Sequence, residues 1–481
     1  MRRRISINHL ISKPVKTEAG HVSGAVIGEP GQEVRIYRGI PYAAPPLGEL
    51  RWWPPQPVAH WSGTRQCTEF KKIAPQAALG DLPPFPQILP SSEDCLYLNI
   101  LTPAKKTTDK LPVMVWLHGG GYQLGSASDP LTNVPRLPGY GVVIVNVNMR
   151  LNSIGLLAHP LLSKESPQGV SGNYMLLDIL ASLHWVQRNI AAFGGDPKNV
   201  TIFGESGGGA KVANLMASPL AKGLFHRAVC ESGTSVGLFM PGKPLKELEA
   251  MGEKFFAKLG VDKEKDPLAA ARSLPWEEII EADNTMMREL AMFGPGGLWE
   301  AAVDGWFLPD TPTIIFKTGK QNTAPLIVCA NLGELAGPGV LVFPSLISDY
   351  VDMLSAVSKA GARGYACIFD HVPSKWKQAG CVSTHAMELG YVFGDWDNTS
   401  GNWLIVYFLA GPSGAKSPDP GLTHIDRKVS EAMMAMWAQF AKTGDPNVEG
   451  LVEWPAWEAA KDQYLCIAEP FQVRSGFSKV L

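Results

Sequence analysis

A serine flanked by small residues, Gly204-Glu205-Ser206-Gly207-Gly208, stands directly after the apolar run Val200-Thr-Ile-Phe and before a helix-compatible stretch, Ala210 to Ala217. Such a serine can act as a nucleophile: its hydroxyl attacks an acyl carbon, holds the acyl group covalently and passes it to water. A strand that turns sharply into a helix needs small residues on both sides of the serine. The turn lifts the hydroxyl off the sheet and aims the N–H groups of the helix N-terminus at the carbonyl oxygen under attack. Taken alone, the pentapeptide fits a glycine-rich turn with an incidental serine equally well.

A second element changes that balance. His118-Gly119-Gly120-Gly121 follows the run Pro112 to Leu117 and offers backbone N–H groups that no side chain obstructs. Gly120, Gly121 and Gly207 are the candidate donors to an oxyanion, where one preorganised donor is worth about 3 kcal/mol of barrier. An HGGG segment upstream of a G-x-S-x-G elbow is the order expected of esterases and lipases with the α/β-hydrolase fold.

These residues need a scaffold, and the chain alternates strand-like and helix-like segments to supply one. Pro112 to Leu117, Val142 to Val147, Val200 to Phe203, Leu326 to Ala330 and Ala366 to Phe369 read as strands, with helices at Leu176 to Asn189 and Val429 to Thr443. Such alternation predicts an α/β fold with a mainly parallel sheet covered by helices on both faces. A helix-rich stretch at about 237–308 interrupts the rhythm and is expected to cap the site. There is no internal repeat and no linker, which leaves the domain count open at this point.

Composition bounds what the site acts on. The chain has 481 residues, 45% of them hydrophobic, and a formal net charge of −2, with a mean hydropathy of 0.00. A charge that small recruits neither nucleic acid nor an anionic membrane, and the partner expected is a small molecule. The apolar runs are too short to span a bilayer. Met1-Arg-Arg-Arg is a basic start without the unbroken apolar stretch of an export signal, so a cytoplasmic location is expected. Seven cysteines without a CxxC pair argue against a disulfide framework and a zinc site. Neither a metal nor a cofactor is called for.

The sequence resembles the type B carboxylesterase and cholinesterase-like family over nearly its whole length. The resemblance is carried by Tyr37-Arg-Gly-Ile-Pro-Tyr-Ala, Ser92-Glu-Asp-Cys-Leu-Tyr-Leu-Asn, the HGGG segment, Asn189-Ile-Ala-Ala-Phe-Gly-Gly-Asp-Pro, the elbow, and Phe440-Ala-Lys-Thr-Gly-Asp-Pro-Asn. It implies a serine ester hydrolase in which residues 1–481 form one catalytic domain with a deep gorge. The chain holds ten histidines and many carboxylates, so composition alone does not select a base or an acid. The resemblance implies Glu334, in Asn331-Leu-Gly-Glu-Leu, as the acid and His385, in His385-Ala-Met-Glu-Leu, as the base. It also implies supporting places for Ser232 and for Glu205, ion pairs Arg38–Glu93 and Arg150–Asp178, and a first disulfide at Cys67 and Cys95, which a reducing cytosol would leave as thiols.

The chain departs from the family pattern at several positions. Gly207 follows the nucleophile where alanine is usual, Ala386 replaces a glycine after the histidine, and Met175 replaces another near Asp178. The acid segment lacks a second acidic residue before Glu334 and has Leu335 where glycine is expected. Tyr122, Phe393 and the segments 79–90, 286–299 and 340–353 are candidate gorge walls, apolar enough for hydrophobic esters. The same triad used on carbamates, amides or aromatic diesters, or an inactive binding module, are the alternatives.

Overall fold

The runs Leu111–Leu117 and Val143–Val147 are apolar at almost every position because both of their faces are covered, as in a parallel sheet between helical layers. The computed structural model describes residues 13–28, 31–76, 89–290, 297–334, 345–397 and 419–480. Among these described residues eleven strands form the main sheet: β1 (Ala25–Ile27), β2 (Val34–Pro41), β3 (Tyr97–Thr102), β4 (Leu111–Leu117), β5 (Val143–Val147), β6 (Gly195–Glu205), β7 (Arg227–Glu231), β8 (Leu326–Asn331), β9 (Gly364–Phe369), β10 (Gln463–Ile467) and β11 (Gln472–Ser475). Their spatial order is β11-β10-β9-β8-β7-β6-β4-β5-β3-β2-β1. The pairs from β5 through β10 are parallel, and antiparallel strands close both edges.

Alternation along each strand sorts side chains onto two faces. Val113, Val115 and Leu117 of β4 join Val200 and Ile202 of β6 in one core, which includes Leu176 and Leu183 of the helix Tyr174–Asn189. Met114, Trp116 and Phe203 point the other way, into a second core with Met433, Trp437 and Phe440 of the closing helix His424–Thr443. That helix begins five residues before the Val429 read from apolar periodicity, because its first turn is polar and held by a capping box between Thr423 and Asp426.

Between β7 and β8, the 237–308 stretch carries the helices Leu245–Lys258, Pro267–Ser273 and Trp276–Glu289. Polar contacts fasten it to the rest of the chain at several places, among them Arg272 with Glu165, Asn173 with the Ala302 backbone, and the two described next. Asp283 accepts hydrogen bonds from the N–H and the hydroxyl of Ser153 at 3.1 and 2.5 Å and from the indole of Trp299 at 2.6 Å. Arg51 donates to the carbonyls of Ala271 and Leu274, at 3.1 and 2.7 Å, where the helix Pro267–Ser273 ends.

Arg51 also corrects the expected pairing of Glu93. Its guanidinium meets the Glu93 carboxylate through two bonds of 2.7 and 2.6 Å, while Arg38 donates to the Thr68 carbonyl and lies over the Phe70 ring. The Arg150–Asp178 pair is present, fully buried, at 2.6 and 2.8 Å. Cys67 and Cys95 are buried free thiols. The structure instead pairs Cys329 with Cys367, which stand opposite each other on β8 and β9.

Removing one partner of a buried ion pair leaves the other charge desolvated and unpaired. Asp178→Asn is therefore expected to cost about 3–5 kcal/mol. Arg51→Met should cost clearly more than Arg38→Met, whose partners are a carbonyl and a ring. Urea unfolding of the three variants measures both differences.

Candidate active site

β6 ends at Glu205 and the helix Gly207–Ala217 begins at once, with Ser206 between them at φ 57° and ψ −124°. A non-glycine residue at positive φ is strained by about 1–3 kcal/mol and persists only where its surroundings fix it. Here the Ser206 N–H donates to the Glu231 carbonyl at 2.8 Å, and the Ser206 carbonyl accepts from Ala210 at 3.1 Å. Missing side chains permit the approach. A Cβ on Gly208 would lie 2.0 Å from the Leu117 oxygen, and one on Gly233 would lie 2.0 Å from the Ser206 oxygen.

The candidate acid and base reach this turn from the loops after β8 and β9. Glu334 follows β8 and accepts from the Asn331 N–H at 2.7 Å, and a bridge between Gly333 and Thr384 sets the two loops side by side. His385 Nδ1 then donates to Glu334 Oε2 at 2.7 Å, which fixes the ring and its tautomer. On its other side, His385 Nε2 is 3.0 Å from Glu205 Oε1. The imidazole therefore lies beside the elbow, against the residue that precedes Ser206. Burial alone would lower the His385 pKa, but the carboxylates of Glu205 and Glu334 outweigh it and raise the pKa above its ordinary value. Glu334 moves the opposite way: burial opposes its charge, and His385 with the Ser232 hydroxyl holds it below the usual carboxylate range.

Two further buried carboxylates complete the surroundings. Glu388 accepts from Asn331 Nδ2 at 2.6 Å and from the Ser232 hydroxyl at 3.5 Å. Glu231 accepts from the Trp437 indole at 2.6 Å. Burial, with like charges nearby, pushes Glu388 to about 7 and Glu231 well above the carboxylate range. Glu388 stands inside the histidine segment, where residue type alone points to no role for it. The signal was its spacing, three residues after His385, which with the turn at Ala386 (φ 65°) brings both side chains to the β8 end. Ser232 stands between Glu334 and Asn331, whose Nδ2 donates to it at 3.0 Å.

The glycine loop faces the elbow from β4. Gly120 and Gly121 have φ of 89° and 58°, and a Cβ on Gly207 would lie 2.8 Å from the Gly121 nitrogen. The candidate donors thus come from two elements in close contact. Gly207, as the first residue of its helix, has an N–H with no acceptor in that helix.

The expected wall residues fare differently. The Tyr122 side chain is buried, its hydroxyl accepting from Asn214 Nδ2 at 2.9 Å, so it braces the glycine loop. Phe393 packs against Trp116 and Phe203 in the core under the closing helix, which corrects its placement in the gorge. Met286, Trp299 and Met353 are likewise core residues. Positions 79–88, 291–296 and 340–344 of the wall segments lie outside the described residues. Among the described residues, no group of three His, Cys, Asp or Glu side chains is placed to hold a metal ion, and no helix is long and apolar enough to cross a membrane.

Known proteins match this chain along nearly its whole length. The profile of the Carboxylesterase family matches residues 11–346 and 343–479. The fumonisin B1 esterase of Sphingopyxis macrogoltabida is 34% identical, with 91% of this chain and 84% of that protein covered. The para-nitrobenzyl esterase of Bacillus subtilis (strain 168) is 31% identical, with 92% of each covered. A solved thermophilic PNB esterase superposes with a TM-score of 0.80 at 28% identity, covering 96% of this chain and 97% of that one.

The two carboxylates against His385 set its titration. In NMR of protein labelled at histidine carbons, His385 is expected to titrate above the ordinary value of about 6.5. In Glu205→Gln the midpoint should fall, because a charge that favours the imidazolium is gone. An unchanged midpoint would mean that Glu205 does not act on the ring.

Proposed function

The chain belongs to the carboxylesterase family and is a carboxylic-ester hydrolase, and from that premise we propose that it works through an acyl-enzyme formed on Ser206. The observation that carries this reading is the His385 ring, bonded to Glu334 at 2.7 Å on one side and lying beside the Ser206 elbow on the other.

Ser206 Oγ attacks the ester carbonyl carbon while neutral His385 takes its proton, and the carbonyl oxygen gains a negative charge. The N–H groups of Gly120, Gly121 and Gly207 bind that oxygen more tightly than the ground-state carbonyl, which lowers the barrier. The tetrahedral intermediate collapses, the C–O bond breaks, and His385 returns the proton to the departing alcohol. Water then repeats the sequence on the acyl-Ser206, giving up a proton to His385 and releasing the carboxylic acid. Glu334 keeps the Nδ1–H tautomer and stabilises the imidazolium that appears in each half. Glu205 favours that same imidazolium, so it makes His385 a stronger base and moves the rise of activity to higher pH.

The whole chain reads as one hydrolase domain, with the 237–308 helices as its cap. The substrates proposed are small to medium hydrophobic esters, in keeping with a formal net charge of only −2. Two relatives, a para-nitrobenzyl esterase and a fumonisin B1 esterase, are named for different esters, so chain length is the first variable to test.

Wild type should release p-nitrophenol from an acetate ester with a burst equal to the enzyme concentration whenever deacylation is the slower step. Ser206→Ala should lose at least roughly 1,000-fold in kcat. The rate ratio between the acetate and a long-chain ester reports the room available to the acyl group. Substantial turnover by a folded Ser206→Ala protein would refute the mechanism. A folded wild type inactive on both esters would redirect it to carbamates, amides or diesters.

A further inference from the structure

Lys211 is the most deeply buried cation near the elbow and has no part in the mechanism above. Its side chain is fully enclosed, five residues after Ser206 in the helix Gly207–Ala217. Its Nζ donates to the carbonyl of His118 at 2.8 Å and stands 5.5 Å from the centre of the Tyr122 ring. Enclosing an ammonium group is costly, and an apolar side chain of similar volume commonly gives equal or greater stability. Stability therefore does not account for a lysine here, whereas the position of its acceptor does.

His118 is the residue immediately before the three glycines, and its carbonyl belongs to the peptide that leads into them. Three residues further along the same helix, Asn214 Nδ2 donates to the Tyr122 hydroxyl at 2.9 Å, on the far side of the glycines. The helix that presents the Gly207 N–H thus grips the loop bearing Gly120 and Gly121 at both ends. Glycines at 119–121 gain close approach at the expense of conformational restraint, so the restraint must come from outside the loop. The His118 imidazole supplies none across this gap: its Nε2 is buried without a hydrogen-bond partner among the described residues, and its Nδ1 lies against the Gly119 carbonyl of its own loop at 3.0 Å.

We propose that Lys211 is the positioning residue of the oxyanion hole, its Nζ pinning the His118 carbonyl so that the Gly120 and Gly121 N–H groups are held in register with that of Gly207. The inference rests on the ester-hydrolase mechanism proposed above and adds the element that keeps its two sets of donors together. Burial pulls the lysine down to about 7 against the pull of Glu205, and an amine retains N–H donors in either protonation state. The contact therefore persists over the working range of pH. Donors misplaced by about 1 Å commonly forfeit two orders of magnitude in rate, so the restraint acts on turnover more than on substrate binding.

The test compares wild type with Lys211→Met, which keeps the length and volume of the stem, and Lys211→Gln, which keeps a donor. Lys211→Met is expected to lose roughly 10- to 100-fold in kcat on p-nitrophenyl acetate, with KM within about threefold and the loss undiminished well below its melting temperature. Its affinity for an aryl trifluoromethyl ketone, which forms a tetrahedral oxyanion on the serine, should fall by the same factor as kcat/KM. Lys211→Gln should recover part of both. Folded Lys211→Met with kcat and ketone affinity within twofold of wild type would overturn the proposal, as would a loss confined to melting temperature. If Lys211→Met does not fold, Lys211→Gln with wild-type kcat and ketone affinity overturns it equally. Failure of the underlying mechanism is read separately, from wild type and Ser206→Ala: an active Ser206→Ala sinks the acyl-enzyme whatever Lys211 does.

Discussion

Backbone-to-backbone contact at the ends of β4, β6 and β7 is the constraint around which the molecule is arranged. Ser206 holds a left-handed conformation that the chain would leave if it could. It stays because the ends of β4 and β7 and the loop after β7 close on the turn with no side chain between them. That closeness requires glycine at 208 and 233, where a single added carbon would come within 2.0 Å of a carbonyl oxygen. It also requires a sheet whose parallel strands deliver all three ends to one edge, which is what the covered, wholly apolar strands provide. Large cores on both faces hold the strands in place, so local strain is sustained by packing far from it.

Much of this was legible in the sequence, and the reasons differ from residue to residue. Ser206 and the glycine loop carry their own context, because sharp turns and close approach demand small residues at fixed places. Glu334 and His385 do not, and a carboxylate and an imidazole 51 residues apart became partners only through resemblance to a family. The contact of Glu205 with His385, the lattice of Asn331, Ser232 and Glu388, and the grip of Lys211 on His118 come from spatial placement. No periodicity announces them. The misassigned partner of Glu93 shows the same limit. Arg38 and Arg51 are both upstream arginines. Arg38 lies on β2 beside the Cys67–Thr68 backbone, which takes its N–H and guanidinium, and the chain must turn before Arg51 can face both Glu93 and the cap. Phe393 was placed by its apolar character, which core and gorge share.

Charge beneath the elbow is distributed in an unusual way. Four carboxylates, Glu205, Glu231, Glu334 and Glu388, are buried with His385 and Lys211 as the basic groups beside them. In so little water they cannot all ionise. Glu334 keeps its charge because His385 and Ser232 serve it directly, whereas Glu231 is driven toward its neutral form by burial and by Glu388. The result is an asymmetric field in which one acid is committed to the imidazole and the others adjust their protons around it. Such an arrangement prepares the site for an imidazolium before any substrate arrives, which is the condition for stabilising one at small reorganisation cost.

The 237–308 stretch is joined to this scaffold by a different kind of bond. Beside apolar packing, Arg51 clasps the end of one of its helices, Asp283 clasps Ser153 from another, Arg272 pairs with Glu165, and Asn173 ties down Ala302. None of these contacts is made with Ser206, Glu334 or His385. A segment held at such separate points can be rewritten between them without touching the turn at Ser206 or the pairing of Glu334 with His385. Inheritance of the machinery and drift of the appetite are thereby uncoupled: a lineage can change which molecules it admits while the apparatus that cuts them is passed on intact.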